Sequence, residues 1–228
     1  LQNILSEVLI QIYDLPPLEH IQDDSIIGHT KSKPVYAQIP QIVHSLGFPH
    51  ALTHRVPFLH YPKYLVLLRD LQTSLVSHYE RFKGDYNNIP FSEYLRGDVR
   101  QKKYHSDIYS RIRFMNEWGD VMSRNKGVVS VLKYENMLNG SITPIRKVCS
   151  FFQIEGATDK IIKIAIERNT KEKMADKPKN PKIDTTVVRT KGKPVADYFA
   201  EEDTLFFNQT CENFLKYDFG YDYQTIEP

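Results

Sequence analysis

Two features of this 228-residue chain have residue types and spacing that could do chemistry. The run Leu68-Arg69-Asp-Leu-Gln-Thr-Ser-Leu-Val-Ser77-His-Tyr79 puts an arginine at the exit of an apolar stretch and a serine eight residues later. At about 1.5 Å of rise per residue, a helix starting there carries Ser77 about two turns along, on a face that can close over an anion held by Arg69. An arginine fork plus a hydroxyl donor suits a phosphate monoester. The same residues admit a plainer reading, in which Arg69 pairs with a helix carboxylate and Ser77 is a small packing residue. The second feature is a charge excess: nine basic and three acidic residues lie between Arg168 and Lys193, a local +6 in a chain of net charge +2. Pro178, Pro181, Gly192 and Pro194 interrupt regular structure there, so the stretch reads as a long loop, either simply solvated or a lid that orders around an anion. His50 and His54 invite a metal reading through their spacing. In an extended segment their side chains stand about 13 Å apart, too far to share a zinc ion.

The elements that must position these residues follow from hydrophobic periodicity. Leu1, Ile4, Leu5, Val8, Leu9 and Ile12 form the apolar stripe of a buried helix that Pro16 and Pro17 stop. Ala37 to Leu46 reads as a short helix ending at Gly47, and His50 to Val56 as an extended piece. Tyr64 to Leu68 is a continuous apolar run that fits a buried parallel strand, with Arg69 at its exit. A helix follows at once through Phe82, with Leu71, Leu75, Val76 and Tyr79 on one side; strand followed by helix is half a βαβ unit. Further helices are expected over Phe91 to Leu95, Tyr104 to Arg124, Ile142 to Phe152, Asp159 to Glu167 and Glu201 to Leu215, and a second strand over Gly127 to Lys133. Alternating strand and helix predicts the α/β class with a central parallel sheet flanked by helices, in one domain spanning the chain.

Composition removes several function classes. With 41% apolar and 25% charged residues the chain can bury a core and is not disordered. The longest apolar run, Tyr64 to Leu68, is far below the roughly 20 residues of a membrane span. Two cysteines exclude a disulfide scaffold and a cysteine-rich zinc module. A net charge of +2 argues against a protein that coats nucleic acid by counterion release, so any anion site is local. The first helix opens without a start signal and the chain without an initiator methionine, which reads as a chain continuing upstream; Glu7 breaks the apolar run a secretory signal needs. Asn139-Gly-Ser and Asn208-Gln-Thr would matter as sequons only in a secretory lumen, and a cytoplasmic setting is expected.

These segments resemble the sulfotransferases that use 3′-phosphoadenosine 5′-phosphosulfate (PAPS). The strand arginine, the eight-residue step to serine and the trailing aromatic match Arg69, Ser77 and Tyr79. Leu1-Gln-Asn-Ile-Leu is similar to the helix after the family's phosphosulfate loop, Thr53-His54 to its Lys-Thr-His segment, and Lys133-Tyr134-Glu135 to its Tyr-Glu-Asp/Asn. Arg189-Thr-Lys191-Gly192-Lys193 with Asp197-Tyr198 resembles the family's Arg-Lys-Gly…Gly-Asp-Trp close. Leu52 stands where many members carry lysine, and the family's short dimerisation element is not recognisable around Lys193 to Glu202, so the oligomeric state is unread.

The resemblance implies a P-loop-nucleotide-transferase-like scaffold and a reaction without metal. It implies His54 as the general base that takes a proton from a hydroxyl or amine acceptor. Arg69, Ser77, Arg189, Lys191 and Gly192 would bind the 3′-phosphate of PAPS, or of its product PAP, and Tyr134 would approach the adenine. The acceptor, a small molecule or a glycan, has weak pocket candidates in Phe58, Phe82 and Tyr86, which fit core packing equally. Two other classes stay open. A P-loop kinase would use Asp70 for Mg²⁺ at the strand end, and a non-catalytic nucleotide-binding domain would lack the upstream loop.

Overall fold

The computed structural model describes residues 1–21, 23–29, 35–45, 47–49, 61–100, 103–104, 106–138, 140–176, 178 and 193–223. In chain order the elements are helix α1 (Gln2–Tyr13), strands β1 (Gly28–His29), β2 (Val43–His44) and β3 (Tyr64–Leu68), and helices α2 (Leu71–Phe82), α3 (Phe91–Arg96) and α4 (Ile108–Arg124). Strand β4 (Val129–Lys133) follows, then helices α5 (Glu135–Leu138), α6 (Ile142–Phe152), α7 (Asp159–Arg168) and α8 (Lys171–Asp176), a 3₁₀ turn (Val195–Tyr198) and α9 (Glu201–Phe214). Every strand pairing among the described residues is parallel, in the α/β class the sequence predicts. The chain divides into two compact units, one of residues 1–47 and 135–190, the other of residues 48–134 and 191–228.

In the first unit α1 packs on α7 through its apolar stripe, with Val8 and Leu9 fully buried. Glu7, nearly buried, is held at 2.6 Å by Arg168 on α7, so the first cation of the basic stretch is committed to this packing. The helix stops before its two prolines, Asp14 turning into the left-handed region. Residues 37–45 are not the expected helix. Pro40 has no N–H and pushes Ile39 out of helical geometry, and beyond it Val43 and His44 pair in parallel with Gly28 and His29. The segment after Arg168 is likewise not loop throughout: one short helix, Lys171–Asp176, forms before Pro178.

The second unit is built on β3 and β4, in register from Tyr64 with Val129 to Leu68 with Lys133. A parallel pair needs a long crossover, which α2, α3 and α4 supply. Asp70 caps α2, its Oδ1 accepting from Thr73 N at 2.8 Å, and the Tyr223 hydroxyl accepts from Leu71 N at 3.0 Å. Leu71, Leu75, Val76 and Tyr79 are buried as expected, against Tyr94, Leu95, Ile108 and Phe207. Helix α4 begins at Ile108 rather than Tyr104, because the fully buried Asp107 caps it, accepting from Ser110 N at 2.9 Å. Tyr104 is still in the core. Each unit holds one buried free thiol, Cys149 in α6 and Cys211 in α9. Burial pushes Cys149 up to about 11; burial and then the charge of Asp70 push Cys211 up to about 12.

Two contacts in this unit carry stability predictions. A Cβ on Gly119 would stand 2.2 Å from two ring atoms of Tyr217, whose hydroxyl is itself anchored to Asp120 at 2.9 Å. Alanine at a helix interior normally gains about 1 kcal/mol over glycine. Here overpacking is expected to win, so Gly119→Ala should lose about 1–3 kcal/mol in a urea melt, and a gain would refute the contact. Asp203, almost fully buried, accepts from Ser92, from Arg96 and from Ala200 N. Burial alone would raise its carboxyl; those hydrogen bonds and the charge of Arg96 outweigh it and hold it below the ordinary value. The stabilisation is therefore full above pH ~4 and lost as pH falls through the depressed value. Asp203→Asn should be clearly less stable than the parent at pH 7, with the gap shrinking below pH ~4; a gap independent of pH would contradict this.

Candidate functional site

The parallel register places two of the sequence candidates side by side. Arg69 leaves β3 and Tyr134 leaves β4, where Tyr134 N still donates to Leu68 O at 2.7 Å and prolongs the ladder by one bond. The Arg69 guanidinium carbon lies 4.9 Å from the centre of the Tyr134 ring, a cation–π distance. Both stand at the carboxyl edge of parallel strands, where open α/β sheets bind ligands. Arg69 is half-buried, its Nε is sealed from water, and that Nε has no hydrogen-bond partner among the described residues. A carboxylate pair for Arg69 is not formed with any described residue. The nearest in sequence, Asp70, spends one oxygen on the α2 cap, which is a structural use of the group that a kinase reading would give to Mg²⁺.

Ser77 lies two turns into α2 and is half-buried. One turn before it on the same face is Ser74, whose Oγ accepts a short hydrogen bond from Arg111 on α4. Arg111 also donates from Nε to Ser106 O at 3.2 Å, the same carbonyl that the buried Tyr94 hydroxyl donates to at 2.7 Å. Burial lowers the Arg111 guanidinium from its ordinary value; Tyr94 and Asp107 oppose that fall and the charge of Arg69 adds to it. The two guanidiniums thus sense each other as like charges, and neither has an ion pair with a described residue. Sequence reasoning missed Arg111 and Ser74. A signal was present, since Arg111 falls three residues after Ile108 and four before Met115, on the apolar stripe of α4.

The acceptor-pocket candidates occupy the other end of α2. Phe82 is about 20 Å along the helix axis from Arg69, and its ring lies 4.5 Å from that of His78. Tyr86 joins an aromatic cluster, its hydroxyl 3.1 Å from His78 Nε2 and its ring 5.1 Å from Tyr104 and 5.9 Å from Tyr94. His54, Phe58, Arg189, Lys191 and Gly192 lie outside the described residues, as do His50 and most of the basic stretch expected to order around an anion. Among the described residues no three His, Cys, Asp or Glu side chains are grouped to hold a metal ion, and no helix is long and apolar enough to cross a membrane.

Three comparisons bear on this arrangement. The model of the family described as "Sulfotransferase domain" matches residues 16–219. Among solved structures the chain is similar to the crystal structure of mouse sulfotransferase SULT7A1 complexed with PAP, with a TM-score of 0.58 and 17% sequence identity over 79% of this chain and 68% of that chain. No curated protein matches the sequence. The likeness to the mouse structure is one of fold.

Proposed function

The chain belongs to the sulfotransferase domain family, and from that premise we propose that it transfers the sulfuryl group of PAPS to a hydroxyl or amine on a small-molecule or glycan acceptor. The observation that carries the reading is the Arg69 guanidinium, its buried Nε without a hydrogen-bond partner among the described residues, beside the Tyr134 ring at the carboxyl edge of β3 and β4. A buried arginine nitrogen without an acceptor is costly, and a nucleotide phosphate fits that need. The PAP held by the mouse protein of similar fold supports the same nucleotide class.

In this reading Arg69 and Ser77 hold the 3′-phosphate, Arg189 and Lys191 add charge to it, and the Gly192 amide approaches it with no side chain in the way. Tyr134 faces the adenine while steadying Arg69. His54 takes the proton of the acceptor as its oxygen or nitrogen attacks sulfur, a task suited to imidazole at neutral pH. Bound PAPS supplies the sulfuryl group and departs as PAP once the bond from sulfur to the phosphate oxygen breaks. No step calls for a metal. A cytoplasmic setting is supported by the two unpaired buried thiols, which suit a reducing compartment.

Incubation with ³⁵S-labelled PAPS and a panel of phenols, alcohols, amines and glycans tests the proposal. Label is expected on at least one acceptor class, without added divalent metal. Transfer from γ-labelled ATP with Mg²⁺ instead would make the chain a kinase; PAP binding without transfer to any acceptor would make it a nucleotide-binding module.

A further inference from the structure

Ser74 sits on the α2 face between Arg69 and Ser77, four residues after Asp70 and three before Ser77. A serine hydroxyl has one proton and two lone pairs. Arg111 donates to the Ser74 oxygen, and the hydroxyl proton is taken by no described residue. It is therefore a donor lacking an acceptor, polarised by a cation behind it. Among the described residues Arg111 hydrogen-bonds only neutral groups, a serine and a carbonyl, while the buried Asp107 carboxylate acts on it through space. The two guanidiniums act on each other as like charges in one partly buried neighbourhood; Asp107 offsets part of this at Arg111, but neither arginine has an ion pair with a described carboxylate. Such an arrangement disfavours the free protein and is relieved by an anion bearing more than one charge.

We propose that Ser74 and Arg111 complete the phosphate-monoester site that Arg69 and Ser77 begin, with Ser74 donating to the 3′-phosphate and Arg111 acting as the positioning residue that aims it. The inference rests on the nucleotide reading given above and adds residues to it. The competing role for the pair is a strut that ties α2 to α4, and the two roles separate by ligand. A strut affects every nucleotide equally through stability, whereas a phosphate contact is selective for the 3′-phosphate.

The experiment measures calorimetric affinities of the full chain for PAP and for 5′-AMP at two salt concentrations, with melting temperatures, in the parent, Ser74→Ala, Arg111→Lys, Arg111→Met, the double variant and Arg69→Ala. Ser74→Ala is expected to weaken PAP about tenfold and 5′-AMP less than about twofold, since one charge-assisted bond is lost. Arg111→Met should weaken PAP more, about 30-fold or beyond, and flatten its salt dependence; Arg111→Lys, keeping charge but not the fork, should fall between. Because Arg111 acts partly through Ser74, Ser74→Ala added to Arg111→Met should cost less than it does alone. Unchanged PAP affinity in a folded Ser74→Ala protein, or equal weakening of both nucleotides, overturns the inference. Should Arg111→Met fail to fold, Ser74→Ala alone decides the matter. If Arg69→Ala loses PAP while the Ser74 and Arg111 variants keep it, this inference falls and the nucleotide reading stands. If the parent binds no PAP, both fall.

Discussion

His54→Ala is expected to lower turnover by roughly 10²-fold or more while leaving PAP affinity nearly intact. The split follows from what the imidazole would touch. As the acceptor loses its proton during attack on sulfur, the base contributes only in the transition state, so kcat falls and nucleotide binding does not. The pH profile supplies a second readout: kcat/KM in the parent should rise with pH as an imidazole base loses its proton, and that limb should vanish in the variant. Steady-state transfer from labelled PAPS, beside calorimetric PAP affinity, measures both. Unchanged turnover would take His54 out of the mechanism.

Arg69→Ala should discriminate between nucleotides by about one to two orders of magnitude. Removing a charge-assisted hydrogen bond costs about 1.5–3 kcal/mol, which by affinity arithmetic is about 10- to 150-fold for PAP; 5′-AMP, with no 3′-phosphate, should barely notice. Ser77→Ala should move in the same direction by less. The expected effect on stability is the reverse of what a structural arginine gives. Arg69 has no described carboxylate to strand, and its loss relieves the repulsion felt by Arg111, so the free protein should melt at the parent's temperature or slightly above. Equal weakening of PAP and 5′-AMP, or a large fall in melting temperature, would mean that Arg69 holds the fold rather than a phosphate.

Much of the fold is legible because local signals and burial agree. Tyr64 to Leu68 is the parallel strand that five apolar residues in a row predict, though only Val66 and Leu68 are buried and Leu67 is exposed; α2 keeps Leu71, Leu75, Val76 and Tyr79 on its core face. The misreadings have identifiable causes. Counting apolar residues over 37–46 ignored the missing N–H of Pro40; starting a helix at Tyr104 ignored Asp107, a better cap three residues on. The basic stretch hid the helix Lys171–Asp176 because its prolines come only after that turn has closed. The site was legible only as separate residues. Arg69 and Tyr134 are 65 positions apart, and what joins them is the register of Leu68 with Lys133, a long-range fact that no spacing encodes. Arg111 looked like an ordinary helix charge because one cation on an apolar stripe gains its meaning only when the facing helix offers Ser74.

The distribution of the two thiols has a practical consequence. At neutral pH a thiol near 11 or 12 is a thiolate less than about one part in a thousand of the time, and its burial hides even that fraction from reagents. Alkylation must therefore wait for the surrounding helix to open. As Cys149 belongs to one unit and Cys211 to the other, mass spectrometry of a pulse-labelled sample turns them into two clocks, each running at the opening rate of its own half of the chain. Whether nucleotide slows both clocks or only that of Cys211 then shows how far the stabilising effect of the ligand spreads, without a single substitution having been made.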